Sequence, residues 1–299
     1  MAIWDAPFLA PLRAFDRDAR HWQILALSSL FLMSLTQSDF GATPLALAAA
    51  LSGALLAQSI GTFATSGGLA GWQWKSAVIT SLSLSILLRA SEPWMWFAAG
   101  ALGIGAKFLV RVNGKHLFNP ACIGIVVMSL AAGSGAWVSP GQWGQASWFA
   151  AFAIGAAALV LSSAKRLDIA LGFLAMFAAM LFGRALWLGD PLVIPAHQMQ
   201  SGALLVFAFF MITDPRSTPD SRLGRLVFAA TVAALAAWLS WGPHVRGSML
   251  YALAVLAPLT PLLDRLLPAA RFQWTIPSKE KTDDPETRPD GRRAVARPA

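Results

Sequence analysis

The strongest constraint on this chain is that charge is withheld from its long apolar stretches: runs such as 42–62, 119–137 and 146–164 contain no Asp, Glu, Lys or Arg. A charge at mid-bilayer is expensive, so bunching charge between apolar runs is what a lipid solvent demands. Over the whole chain 13% of residues are charged and 56% hydrophobic, whereas soluble domains carry roughly 25% charge. In water, 299 residues of this composition would lack the polar surface to cover themselves.

A helical span needs roughly 20 mostly apolar residues. Candidate spans fall at 22–38, 42–62, 74–90, 93–110, 119–137, 146–164, 167–187, 199–214, 224–242 and 248–267. Helices are required because an unpaired backbone group in hydrocarbon is costly, and continuous apolar runs lack the alternation of a membrane barrel. The fold class read here is an all-α polytopic membrane protein of about ten transmembrane helices. Such a count admits two inverted five-helix halves, as in many transport folds, although no internal symmetry is visible in the residues.

Short loops rich in Lys and Arg stay in the cytoplasm. With the N-terminus inside, Arg13, Arg17, Arg20, Lys75, Arg111, Lys115, Lys165, Arg166, Arg216, Arg222, Arg225 and the tail cations all fall on that side, and only Arg89, Arg184 and Arg246 fall outside. Miscounting by one span would mix the two sets. Trp72, Trp74, Trp94, Trp137, Trp143, Trp187, Trp241 and Trp274 lie near expected interfaces, where an amphipathic ring is stable. The expected organisation is a cytoplasmic N-terminal segment 1–21, a transmembrane domain 22–270 and a disordered basic cytoplasmic tail 271–299. Asp5, Arg13, Asp16, Arg17, Asp18 and Arg20 precede the first apolar run, unlike a cleaved signal peptide, so the first span is expected to persist.

The formal charge of +8 does not imply a nucleic-acid partner, because the cations lie between apolar runs and in the tail instead of on one face. Cys122 is the only cysteine and sits in an apolar run, which excludes an intrachain disulfide or a cysteine-ligated metal cluster. His21, His116, His197 and His244 lie at span ends or in loops, so two facing haem ligands within the bilayer are not expected. Asp39, Glu92, Asp168, Asp190 and Asp264 are likewise near ends. Any ion crossing here would use backbone carbonyls, hydroxyls or another subunit.

Three stretches carry candidate chemistry. Arg111-Val112-Asn113-Gly114-Lys115-His116-Leu117-Phe118-Asn119-Pro120 precedes the fifth span. Asn-Pro before an apolar run is a helix start, which accounts for Asn119 and Pro120 by itself. The same amides, with Lys115 and Arg111 nearby, would also suit an anion such as a flavin phosphate. Met211-Ile212-Thr213-Asp214-Pro215-Arg216-Ser217-Thr218-Pro219 ends the eighth span, and its prolines suffice for an ordinary turn. Topology puts both stretches on one side, which does not require contact. Ser201-Gly202-Ala203 supplies small residues where helices can approach closely, a common local pattern.

On these residues the chain resembles the NqrB/RnfD membrane subunits of sodium-pumping NADH:quinone reductase and of the Rnf electron-transport complex. The matching features are Gly114-Lys115-His116-Leu117-Phe118-Asn119-Pro120-Ala121, then Gln200-Ser201-Gly202 followed by Ile212-Thr213-Asp214-Pro215. The resemblance covers roughly residues 20–270. It implies a ten-helix, urea-transporter-like, flavin-carrying subunit of a multi-subunit complex. Members with covalent FMN attach it to a Thr in a Ser-Gly-Ala-Thr motif, expected in the outer loop after the fifth span. Here that loop, Trp137-Val138-Ser139-Pro140-Gly141-Gln142-Trp143-Gly144-Gln145, has no Thr, and the nearest string, Phe40-Gly41-Ala42-Thr43, lies at the start of the second span. Covalent FMN is therefore not expected, and non-covalent FMN or riboflavin remains open.

The resulting expectation is a multi-pass subunit of the cell inner membrane with cytoplasmic termini, coupled to ion transport and partnered by other membrane redox subunits. Lys115, His116, Asn119, Asp214, Arg216 and Thr218 are its cofactor-binding candidates, without a metal and without an assigned catalytic residue. The cations would pair a phosphate, Asn119 would recognise an amide, and Asp214 would fix its loop. Helix capping and topology account for each residue singly. The alternatives are a channel or carrier for a small neutral or cofactor-like solute, and an assembly scaffold.

Overall fold

The computed structural model describes residues 18–36, 41–139 and 166–272; the expected span 146–164, most of the loop 137–145 and nearly all of the expected tail lie outside them. The first part of the chain forms α1 (Ala19–Thr36), α2 (Pro44–Ser66), α3 (Trp74–Leu87), α4 (Pro93–Leu109) and α5 (Pro120–Ala132). The second forms α6 (Leu167–Leu188), α7 (Val193–Met199), α8 (Gly202–Val206), α9 (Arg222–Trp241), α10 (Ser248–Leu256) and α11 (Leu259–Leu266). Helices α2, α4 and α5 each begin on a proline, and the Thr43 and Asn119 side chains accept from the amides of Ala46 and Cys122. Proline wastes no donor in a first turn, and the cap oxygen satisfies an amide that has no partner within its helix.

The described residues are mostly helical, without a closed sheet, as an all-α membrane protein requires. Helices α2, α6 and α9 are long and apolar enough to cross a membrane. The pairs α7/α8 and α10/α11 pass the same test together but bend by 49° and 52° at their breaks. The expected span 248–267 is thus a broken helix, divided at Pro258, which has no amide to continue the ladder, whereas the expected span 199–214 begins at the bend that follows α7.

Two expected spans differ in their last turns. Helix α3 stops at Leu87 and α5 at Ala132, and the segments that follow run extended as β1 (Leu88–Ala90) and β4 (Ala136–Val138). These pair antiparallel, with Arg89 opposite Trp137, and the ladder is extended by Ser139 N to Leu87 O and Ser91 N to Gly135 O. Each short helix can end inside the protein because its freed backbone groups find one another.

Helix α2 packs closely on α4, α4 on α5, and α9 on both α6 and α10. A Cβ at Gly53 would lie 2.0 Å from the Phe97 carbonyl, and one at Gly100 would lie 2.3 Å from that of Ala50. Only glycine permits this α2/α4 approach. A continuous core follows, with Phe173, Phe207, Phe228 and Leu84 fully buried, while Leu32, Ile60, Leu186 and Trp187 face outward. Large apolar side chains on the outside are unfavourable in water and suited to lipid.

Candidate functional site

The two polar stretches meet. After α4 the chain turns through a two-residue hairpin, β2 (Arg111–Val112) and β3 (Lys115–His116), with Asn113 and Gly114 at φ 51° and 77°. An Asn-Gly pair adopts this left-handed turn readily. The hairpin brings His116 into the protein, where its Nε2 lies 3.1 Å from Asp214 Oδ2. Three residues on, Asn119 caps α5 with its oxygen and donates through Nδ2 to the Met211 carbonyl at 3.3 Å.

The opposing strand of chain arrives through a widened turn. Helix α8 continues as a π turn over Phe207–Met211, with Ile212 N bonded to Phe207 O. Such turns often occur at functional sites, because they displace the residues that follow. Here these are Thr213 and Asp214. The Asp214 carboxylate accepts from the Arg216 amide and the Ser217 hydroxyl as well as facing His116, and its carbonyl accepts from the Thr218 hydroxyl. One side chain thus folds the whole turn onto itself, and the loop-fixing role expected of Asp214 has a geometric basis.

Behind this turn is a charged frame. Lys115 Nζ bonds the Thr218 carbonyl at 3.0 Å and pairs with Asp264 at 2.8 Å and Asp220 at 3.0 Å. Arg166 donates to the Pro219 carbonyl, Arg225 to that of Asp220, and Thr260 to that of Ser217. Arg225 also grips Asp168 through paired hydrogen bonds. The loop 213–221 is therefore held by α6, α9 and α11 together.

In front of it opens a cavity of about 710 Å³. His116, Asn119, Asp214 and Arg216 line it, as do Arg20, Gln58, Lys107, Phe108, Arg111 and Phe210. Lys115 and Thr218 do not: Lys115 faces a smaller cavity of about 270 Å³ beside Asp220 and Asp264, and Thr218 is fully buried. Four of the six candidates thus share one wall and two brace it from behind.

One cation of the lining, Lys107, was not among those candidates. Lys107, in the last turn of α4, donates to Gln58 Oε1 at 2.9 Å, and Gln58 Nε2 donates to the Thr62 hydroxyl at 2.9 Å. The signal available in the sequence was a lysine inside an apolar segment, which by default marks a functional position. Arg20 also lines the cavity, bonding Gln73 and pairing with Asp18, which in turn binds Lys75 at 2.8 Å. Burial alone would raise the Asp18 carboxyl, but hydrogen bonds from Arg20 and Lys75 outweigh it and hold Asp18 well below the usual carboxylate range. Among the described residues, no group of three or more His, Cys, Asp or Glu side chains could hold a metal ion.

A family model described as the NQR2, RnfD, RnfE family matches residues 133–273. This region contains the 213–221 loop and its frame apart from Lys115; the hairpin lies upstream. Among curated proteins, the RnfD component of the ion-translocating oxidoreductase complex of Stutzerimonas stutzeri is 27% identical over 289 residues, 69% of this chain and 81% of that protein. Its counterpart from Alcanivorax borkumensis is 27% identical over 221 residues, 54% of this chain and 64% of that protein. The protein of the same name from Escherichia coli O7:K1 is 33% identical over 159 residues, 52% of this chain and 42% of the relative, so the match spans less than half of that protein.

Proposed function

We propose that this chain, which the NQR2, RnfD, RnfE family model matches over residues 133–273, is an integral membrane subunit, of the RnfD kind, in an ion-translocating electron-transport complex whose partners hold the other redox centres. The observation that carries this reading is the junction of the two polar stretches, His116 to Asp214 and Asn119 to Met211, in the wall of one cavity. The proposed topology is ten spans, built as two inverted halves, with both termini and the cavity mouth on the cytoplasmic side of the inner membrane. The domain plan is a transmembrane unit 22–270 between short cytoplasmic ends. Supporting this orientation, Arg20, Arg111 and Arg216 gather at the cavity, as short cytoplasmic loops would.

The cavity suits a flavin held without a covalent bond. Its volume of about 710 Å³ falls in the roughly 300–1,000 Å³ range of small-molecule sites. Phe108 and Phe210 offer aromatic faces, and His116, Asn119, Asp214 and Arg216 offer polar edges. Lys115 and Thr218 would act indirectly, by holding the loop that presents Asp214 and Arg216. A bound flavin would supply electron exchange between partner subunits. Thr43, the nearest match to a flavinylation threonine, is used as a helix cap.

A carrier reading has one observation in its favour: Thr80 and Ser83 line the cavity, and the buried Ser81 and Ser85 continue a row of hydroxyls along α3 toward Arg89. Purification from native membranes in mild detergent tests the two. Co-elution of redox subunits supports the complex; a lone chain that takes up solute into liposomes supports the carrier and refutes membership of a complex.

A further inference from the structure

We infer that the smaller cavity, of about 270 Å³ between the hairpin and α11, seats the headgroup of an anionic phospholipid, with Arg265 and Arg271 on its phosphate and the exposed Val112, Leu262 and Leu266 beside its acyl chains. This occupant is independent of whatever the larger cavity holds.

Cations and carboxylates both line this cavity, but its carboxylates are already answered. Asp220 and Asp264 pair with Lys115 at 3.0 and 2.8 Å, Asp264 Oδ1 accepts from the Asp220 amide at 2.8 Å, and Asp220 lies 3.9 Å from Arg166. Arg265 and Arg271 are exposed, and neither has a carboxylate within ion-pair distance among the described residues. Arg271 reaches the hairpin tip, where a Cβ on Gly114 would lie 3.5 Å from one of its guanidinium nitrogens. The next residue, Phe272, holds the segment in place, with the Arg166 guanidinium 5.4 Å from its ring centroid. Two guanidinium groups over a concavity whose own acids are paired leave an excess of positive charge, and their planar forks match the oxygens of a phosphate.

Topology alone accounts for cations at a cytoplasmic rim. It does not account for the apolar side chains beside them. After Pro258, α11 leaves the line of α10 by 52°, and its residues one turn apart share a face. Thr260 and Leu263 are buried inward, Pro261 and Arg265 line the cavity, and Leu262 and Leu266 are 49% and 64% exposed. On the hairpin side, Val112 lines the cavity and is exposed as well. A soluble anion would need only the arginines, and leucines left bare next to them would be unfavourable in water. A phospholipid needs both at once, cations for its phosphate and an apolar surface for its chains.

The test is a titration of the delipidated full chain in mild detergent with phosphatidylglycerol and with phosphatidylcholine, whose own cation offsets its phosphate. Bound lipid is read by native mass spectrometry on wild type, Arg265→Gln, Arg271→Gln and the control Arg246→Gln. All three arginines are exposed, so the substitutions leave the packing intact. Phosphatidylglycerol should bind at least about tenfold more tightly than phosphatidylcholine, since each arginine near a lipid phosphate contributes about fivefold. Arg265→Gln and Arg271→Gln should each lose about fivefold in phosphatidylglycerol affinity, Arg246→Gln should lose none, and inorganic phosphate should not displace the lipid. Equal affinity for the two lipids, a preference unchanged in both cavity variants, or an equal loss in Arg246→Gln overturns the inference. Displacement by inorganic phosphate also overturns it, and marks a site for a soluble anion instead.

Discussion

His116 Nε2 and Asp214 Oδ2 lie 3.1 Å apart although 98 positions separate them in the chain. This contact joins the hairpin before α5 to the turn after α8. Its removal should loosen the turn before it unfolds the protein. For Asp214→Ala we expect a loss of about 2 kcal/mol, since the variant strands buried donors that a charged acceptor had satisfied. Faster trypsin cleavage at Arg216 should accompany it, and proteolysis in detergent together with thermal unfolding would show both. Wild-type cleavage and stability would mean that the turn is held by its charged frame alone.

Asn119 both caps α5 and donates to the Met211 carbonyl. Asn119→Ala should cost about 1–2 kcal/mol, at the upper end for a lost cap, because a second bond goes with it. Asn119→Asp keeps the cap oxygen but not the donor. It should recover part of the lost thermal stability, and full recovery would make the bond to Met211 irrelevant.

Asp18 ties α1 to α3 through Arg20 and Lys75. Its carboxyl in the folded protein lies below its ordinary value of 3.8, so its contribution is present above that value and is lost as pH falls through the folded one. The acid limb of the stability profile, below about pH 4, should therefore be shallower in Asp18→Asn, which should also be less stable than wild type at neutral pH. Superimposable profiles would show that the knot contributes nothing.

The α2/α4 contact gives a steric test with an internal control. Gly100→Ala places a Cβ 2.3 Å from a carbonyl oxygen, whereas Gly105 on the same helix has nothing within 4 Å of its added Cβ. Gly100→Ala should lower stability by about 1–3 kcal/mol, as overpacking does, and Gly105→Ala should be neutral or slightly stabilising. Equal effects in detergent unfolding would contradict the close packing.

The fold was legible in sequence where apolar runs and caps agreed. Asn119-Pro120 and Thr43-Pro44 mark helix starts that the structure places at those residues. The ends of α3 and α5 were not legible, because their apolar runs continue into β1 and β4; residues fit for a span are equally fit for a buried strand pair. The break at Pro258 divides a run that hydropathy alone reads as continuous. At the site, His116, Asn119, Asp214 and Arg216 were nameable from their stretches, whereas the hairpin at Asn113-Gly114 emerged only from the structure. Lys107 and Gln58 were not, since they meet across α4 and α2, and no local pattern records a contact between positions 49 apart.

A flavin held in the cavity without a covalent bond is tested most directly by the visible spectrum of the protein purified in mild detergent, recorded before and after acid precipitation. Flavin absorbance is expected in the native sample and should pass wholly into the supernatant with acid. A native sample without flavin would contradict the proposed cofactor, and flavin retained by the precipitate would contradict its non-covalent attachment.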